Sequence, residues 1–250
     1  MDGTALVEYL SKGIEFLKPA VSTVVGALMA TMFLRKNTRT TEFEKIKSGL
    51  FQEAAEELLE NGKLTYLEFY KCRNFLKIAK RADEYQKQKQ STNDTTLQDK
   101  LDFDWFVQFY ELAGNINDEK MQEYWARLLA NAVNDRNIQK KIYIDIIARL
   151  SHQEAEIIEK IYSIPFESLQ HKTLLTYRLP ESVAIKSEEM RDNYPDVNDD
   201  EIKLALVNLS RIGCISLGKS FGSGELYSVI HATLLGNCFY KACVVKEKYT

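Results

Sequence analysis

The chain has 250 residues, of which 45% are hydrophobic and 28% charged, and its 33 basic and 36 acidic residues give a net charge of −3. The hydrophobic fraction is typical of globular proteins and excludes a chain that is disordered throughout. The balanced charge excludes a basic field over the whole molecule that would attract nucleic acid. Because the chain contains only 11 glycines and 4 prolines, the composition also argues against a β-sandwich and favours helices.

The N-terminal region contains an uncharged, mostly apolar run at residues 19–34, and Arg35 and Lys36 follow it directly. As a helix this run covers about 24 Å, somewhat less than the ~30 Å hydrocarbon core of a bilayer. The basic residues after it predict that this end remains cytoplasmic. Acidic residues precede the run and no small-residue cleavage site follows it, which argues against a cleavable signal peptide.

Small residues recur at every fourth position of the run, at Ser22, Gly26 and Ala30. Such a row lies on one helix face and lets two helices approach closely. Residues 1–40 therefore support two hypotheses. The segment is either a membrane anchor or an oligomerisation helix that packs within a soluble assembly.

Residues 41–90 are predicted to be helical, amphipathic at first and then basic. The apolar spacing of 42–60 is that of an amphipathic helix, and Asn61-Gly62 ends it. A second helix is predicted over 66–88, within a stretch that holds eight basic and three acidic residues between positions 63 and 90. Its candidate basic surface comprises Lys71, Arg73, Lys77, Lys80 and Arg81. Such a surface attracts anionic lipid or nucleic acid, although many charged helix faces are simply solvated.

A polar segment without apolar periodicity follows, and residues 91–100 are interpreted as a linker to a domain at 101–250. Four helices are predicted in the first part of this domain. Asp102 or Asp104 caps the first, and Asn117 or Asp118 caps the second. Another covers about 138–150, and a Ser151–Glu154 capping box begins the next. The apolar stripe of the second helix includes Trp125, Leu128 and Leu129.

The pattern changes after residue 165. It predicts a short strand at Leu174–Leu179, a helix over 199–213, a β-hairpin around the glycine turn at 221–224, and a closing helix. The predicted fold is mainly α: a helical bundle with a C-terminal winged-helix-like α+β module that carries a short β-hairpin. The helix before the hairpin begins with Asp199, Asp200 and Glu201, which would repel phosphate. We therefore expect the module to bind protein or to be structural, rather than to read DNA.

No catalytic motif is present: the sequence contains no phosphate-binding glycine loop, nucleophile elbow or zinc-binding helix. Its four cysteines have no CxxC spacing, and it has only three histidines. The cysteines are interpreted as buried, reduced thiols. The sequence thus predicts a non-enzymatic protein with no catalytic residues, metal site or cofactor.

Three groups of residues resemble the abortive infection alpha (Abi-alpha) group of bacterial proteins over about residues 101–245. They are Asp118, Glu119, Met121, Gln122, Trp125, Ala126, Leu128, Leu129, Ala130 and Asn131; then Leu150, Ser151, Glu154 and Ala155; and finally Thr233, Gly236, Phe239 and Cys243. The resemblance implies a prokaryotic or prophage-borne protein linked to phage defence. It implies no mechanism and carries over no catalytic residue.

These observations lead to two hypotheses for the function. In the first, the chain is a homo-oligomeric phage-defence protein on the cytoplasmic face of the bacterial inner membrane. It would associate with the membrane through its N-terminal helix and bind a protein partner or phage component through its C-terminal domain. In the alternative, it is a soluble, cytoplasmic winged-helix-like regulator that binds nucleic acid.

Overall fold

A computed structural model describes residues 66–88, 101–187, 190, 195–222 and 224–243. In these residues the protein is largely helical, and a small antiparallel sheet lies toward the C-terminal end, as the sequence predicted. Three predicted segments lie outside the described residues: the apolar helix with Ser22, Gly26, Ala30, Arg35 and Lys36, the amphipathic helix 42–60 and the linker 91–100. Among the helices that the structure describes, none has the length and apolar character needed to cross a bilayer.

The helices and strands are numbered here in chain order. The helices are α1 (Tyr66–Gln88), α2 (Phe103–Ala113), α3 (Glu119–Asn134), α4 (Lys141–Ile147), α5 (His152–Tyr162), α6 (Phe166–Leu169), α7 (Asp200–Arg211) and α8 (Leu234–Cys243). The strands are β1 (Leu174–Leu175), β2 (Ala184–Ile185), β3 (Ile215–Lys219) and β4 (Glu225–Ala232).

The chain divides into two compact units, the first ending at Ile144 and the second beginning at Asp145. The predicted linker at 91–100 lies outside the described residues, and the predicted domain at 101–250 stays a prediction. Within the first unit, α1 packs against α2 and α3.

An aromatic cluster forms the core of the first unit. Phe75 of α1 makes edge-on contacts with Phe106, Phe109 and Tyr110 of α2, with ring centroids 5.2–6.3 Å apart. Phe109 stacks on Trp105 and meets Trp125 of α3 edge-on, at 5.1 and 5.0 Å. These edge-on and offset arrangements are favourable for aromatic quadrupoles.

Buried amides complete the packing of the first unit. Asn74 Nδ2 donates to the Gly114 carbonyl at 3.1 Å, and Gln122 Nε2 donates to the Ile116 carbonyl at 2.8 Å. Both side chains are almost fully buried, so an unpaired amide at either position would be costly. These bonds fix the α2–α3 connection against α1 and α3.

Side-chain caps set the helix starts. Asp102 Oδ1 accepts from the Trp105 N–H at 2.8 Å, and Asp118 Oδ1 accepts from the Met121 N–H at 2.7 Å. The predicted Ser151–Glu154 capping box is confirmed at the start of α5. Such caps satisfy donors that have no partner within the helix.

The helix predicted over 138–150 is shorter in the structure. Arg136–Ile138 forms a 3₁₀ turn, and α4 covers only Lys141–Ile147. Between them the Gln139 side chain donates to the Ala132 carbonyl at 2.8 Å and accepts from the Asp102 N–H at 2.7 Å. These long-range bonds hold Gln139 in a non-helical conformation, which local periodicity does not reveal.

The second unit carries a four-stranded antiparallel sheet in the order β2-β1-β4-β3. The predicted hairpin is confirmed as β3 and β4, with a register shift between Leu217 and Gly218. Strand β1 is shorter than predicted and pairs with β4 through Leu174↔Ile230 and Leu175↔Val229. Strand β2 was not predicted, because two half-exposed residues carry no alternation that could reveal a strand.

The hydroxyl of Tyr162, at the end of α5, joins three segments of the second unit. It donates to the Cys214 carbonyl at the start of the hairpin and accepts from the Thr233 N–H at 2.9 Å. Thr233 Oγ1 in turn donates toward the Gly213 and Cys214 carbonyls and accepts from the Gly236 N–H at 3.0 Å. One polar cluster therefore positions α5, β3 and α8.

We expect Gly236→Ala to destabilise the second unit by about 2 kcal/mol, the order typical of overpacking. An added Cβ would collide with the Cys214 carbonyl and the Tyr162 hydroxyl, neither of which can move without breaking the cluster. Urea unfolding followed by circular dichroism measures the change. Gly222→Ala is the matched control, since an added Cβ there meets no atom within 4 Å. Equal stability of the two variants would contradict the role given to the cluster.

Candidate interaction surfaces

The five residues of the predicted basic surface divide between two roles in the structure. Lys71 Nζ donates to Glu111 Oε2 of α2 at 2.9 Å. Arg81 Nη1 donates to the Glu119 carbonyl of α3 at 2.7 Å. Both cations therefore connect α1 to the neighbouring helices and flank its buried face.

The other three, Arg73, Lys77 and Lys80, form no ion pair with any residue that the structure describes. They are spaced by four and three positions, so they follow one face of α1 opposite its buried side. Tyr66 and Tyr70 continue the same row toward the start of the helix, and the Arg73 guanidinium lies 6.0 Å from the Tyr70 ring. We name Tyr66, Tyr70, Arg73, Lys77 and Lys80 the α1 stripe.

The second candidate surface is the outward face of α7 in the second unit. Leu204 lies at its centre with 69% of its surface exposed. Asp199, Asp200 and Glu201 are exposed at the start of the helix, and Asp196 is exposed just before it. The buried face of α7 carries Ile202, Ala205, Leu206 and Leu209.

The two basic residues of α7 make local bonds. Lys203 Nζ donates to Asp200 Oδ1 at 2.9 Å, and this hydrogen bond raises the pKa of the lysine. Arg211 Nη2 donates to Asn208 Oδ1 at 3.0 Å, while the Asn208 amide donates to Glu154 Oε1 at 2.6 Å. The exposed part of α7 is consequently acidic at its start and apolar at its centre.

Phe221 projects from the β3–β4 turn and is fully exposed. The turn is closed by Ser220, whose N–H donates to the Gly224 carbonyl at 2.8 Å and whose Oγ accepts from the Gly224 N–H at 3.0 Å. Aromatic side chains are enriched at protein interfaces, although a single exposed one is also common on protein surfaces.

The residues that carry the Abi-alpha resemblance have packing roles in the structure. Trp125, Leu128 and Leu129 are buried in the first unit, and Phe239 and Cys243 are buried in the second. Asp118 and Ser151 are helix caps, and Thr233 and Gly236 belong to the Tyr162 cluster. Sequence reasoning did not identify Leu204 or Phe221, because exposure depends on tertiary packing.

No group of three or more metal-ligating side chains occurs within the part of the chain that the structure describes. Cys214 and Cys243 are buried, Cys238 is half-buried, and none of the three forms a disulfide with a described residue. Burial raises the pKa of the Cys214 thiol to about 12. This thiol is therefore protonated and unreactive at neutral pH.

A family model matches residues 60–213, which is more than half of the chain. The protein belongs to the DUF2806 family of proteins of unknown function. The DUF2806 match includes the α1 stripe and α7 but ends before the hairpin. No curated protein and no solved structure matches the chain. The Abi-alpha resemblance stays a prediction.

Because Arg81 bonds to α3 and Lys80 forms no ion pair with a described residue, their substitution should affect stability differently. Arg81→Gln should destabilise the first unit by about 1–2 kcal/mol, because it removes a charge-assisted hydrogen bond to the Glu119 carbonyl. Lys80→Gln, with the same charge change one position away, should have an effect below about 0.5 kcal/mol, as is usual for surface positions. Thermal unfolding of both variants measures the difference. Equal losses would show that Arg81 does not connect α1 to α3.

The raised pKa of Cys214 predicts a loss of stability at high pH. A thiol with an ordinary pKa of 9.0 ionises in the unfolded chain, whereas the folded chain retains its proton up to about 12. This contribution is fully present below pH 9 and is lost as the pH rises from 9 toward 12. Unfolding free energies of wild type and Cys214→Ala over that range test it. The alkaline decline should be shallower in the variant.

Iodoacetamide labelling of native protein at pH 8, followed by peptide mapping, tests the burial directly. We expect modification at Cys238 and protection at Cys214 and Cys243 until the protein is unfolded. Labelling of native Cys214 at the rate of Cys238 would contradict the assignment.

Proposed function

We propose that this DUF2806 protein is a non-enzymatic, prokaryotic phage-defence protein whose second unit binds a protein partner through the outward face of α7. The observation that carries the proposal is the combination of exposed Leu204 with an acidic helix start and no exposed, unengaged cation among the described residues of α7. Such a face matches a partner with an apolar patch bordered by basic residues.

The topology supports an assignment of the second unit as winged-helix-like. Helix α7 immediately precedes the β3–β4 hairpin, and β1 pairs with β4, so that β1, β4 and β3 form a small antiparallel sheet. A winged helix often reads DNA with the helix before its hairpin. In this protein that position is occupied by α7, and the hairpin turn carries Phe221.

The charges of α7 favour protein over DNA as the ligand. Phosphate attraction dominates DNA affinity and requires exposed lysine or arginine. Asp199, Asp200 and Glu201 stand where a DNA-binding helix would approach the backbone. The alternative proposal is that the protein is a soluble winged-helix-like regulator that binds nucleic acid despite these acidic residues.

Two further parts of the proposal rest on the sequence. The role in phage defence rests on the Abi-alpha resemblance. Association with the inner membrane and self-assembly rest on the apolar run at 19–34 with its Ser22, Gly26 and Ala30 row and the basic residues after it.

The α7 face is tested with Leu204→Ser and the matched control Leu234→Ser, since these two leucines are exposed to 69% and 67%. Neither change should alter the free energy of unfolding by more than about 0.5 kcal/mol. We expect phage plating efficiency on cells with the Leu204 variant to rise at least tenfold over wild type, while the control still protects. A protein recovered with tagged wild type and control during infection should be lost with Leu204→Ser.

Two results would count against this proposal. A wild-type protein that gives no protection against a broad phage panel would refute the role in defence. Binding of duplex DNA whose affinity falls steeply with salt, and which is retained by Leu204→Ser, would favour the nucleic-acid regulator.

A further inference from the structure

We infer that the α1 stripe is a second contact site, which binds the surface of an anionic lipid membrane. The inference does not depend on α7, nor on whether residues 19–34 span a bilayer. It rests on a difference among the basic residues of α1: two of them bond to neighbouring helices, whereas Arg73, Lys77 and Lys80 form no ion pair with a described residue.

The stripe lies on the outward side of α1, where Lys77 is half-buried and the exposed Glu84 continues the row one turn beyond Lys80. Phe75, Ile78 and Ala82 are buried on the opposite side of α1. Lys71 and Arg81 are held by groups on α2 and α3. Three cations that make no such bonds with described residues therefore remain on the outward side, in a helix that is otherwise fixed in its bundle.

The distribution of side chains along the stripe suits a lipid interface. Tyr66 and Tyr70 are exposed to 81% and 42% at the start of the helix, and the cations follow toward its middle. Tyrosine favours the depth of the lipid headgroups because its ring is apolar and its hydroxyl polar. Arginine and lysine attract anionic headgroups from the same surface. From Tyr66 to Lys80 the row extends about 21 Å along a straight helix.

The shape of the stripe favours a membrane over nucleic acid. Single-stranded nucleic acid is bound in basic grooves with aromatic platforms along the strand. The α1 stripe is the convex side of one helix, and its aromatic and basic residues occupy separate parts of the row.

The experiment measures binding of the full-length protein to vesicles of neutral phosphatidylcholine and to vesicles that also contain 30% phosphatidylglycerol. We expect the anionic lipid to strengthen binding, and this gain to fall as salt is raised. In the variant Arg73→Gln/Lys77→Gln/Lys80→Gln, the affinity for anionic vesicles should fall about 100-fold, because each basic residue near an anionic surface contributes to the attraction. Tyr66→Ser/Tyr70→Ser should weaken binding to anionic vesicles at high salt.

The matched control is Lys172→Gln/Lys219→Gln/Lys241→Gln, which removes three exposed charges from the second unit and should retain the gain. Comparing anionic with neutral vesicles separates the stripe from any insertion of residues 19–34, which would bind both. Equal loss in the two triple variants would show a general charge effect and overturn the inference. Stripe-dependent binding of single-stranded RNA without any gain on anionic vesicles would overturn it as well.

Discussion

The hydroxyl of Tyr162 is the constraint on which the second unit depends. It bonds to the Cys214 carbonyl and the Thr233 N–H, and so joins the end of α5 to both ends of the β3–β4 segment. Because the hydroxyl is buried, loss of either bond would leave a polar group unpaired at a cost of about 1–3 kcal/mol. Gly236 can approach this cluster only because it has no Cβ. The positions of α7 and the hairpin follow from this arrangement.

The first unit is organised by aromatic packing rather than by a single polar cluster. Phe75, Phe109 and Trp125 bring one ring from each of three helices into contact. The indole N–H groups of Trp105 and Trp125 are buried and have no acceptor among the described residues. Among the described residues, the packing of the rings rather than an indole hydrogen bond holds the two tryptophans in this core. It also holds α1 so that the stripe faces outward.

The two units present surfaces of opposite character. The outward side of α1 is aromatic at its start and basic along its middle, with Glu84 exposed beyond Lys80, whereas that of α7 is acidic and apolar, although the whole chain has a net charge of only −3. A near-neutral total thus conceals two local charge patterns. The ligands proposed for the two surfaces differ accordingly: an anionic lipid surface for α1 and a basic, partly apolar protein for α7. A protein that detects a partner close to a membrane would use both.

Local patterns were enough to predict the Ser151–Glu154 capping box and the β3–β4 hairpin, because these depend on side chains within a few residues. For α2 and α3 the sequence left two candidate caps each, and the structure selects Asp102 and Asp118. Other features depend on contacts between residues that are far apart in the sequence, and these became visible only in the folded structure. Gln139 interrupts a helix by bonding to the Ala132 carbonyl and the Asp102 N–H, which local periodicity does not reveal. Lys71 and Arg81 are no different in sequence from Lys80, yet only their partners on α2 and α3 remove them from the basic surface. Exposure of Leu204 likewise follows from packing, since periodicity alone predicts an apolar residue to be buried.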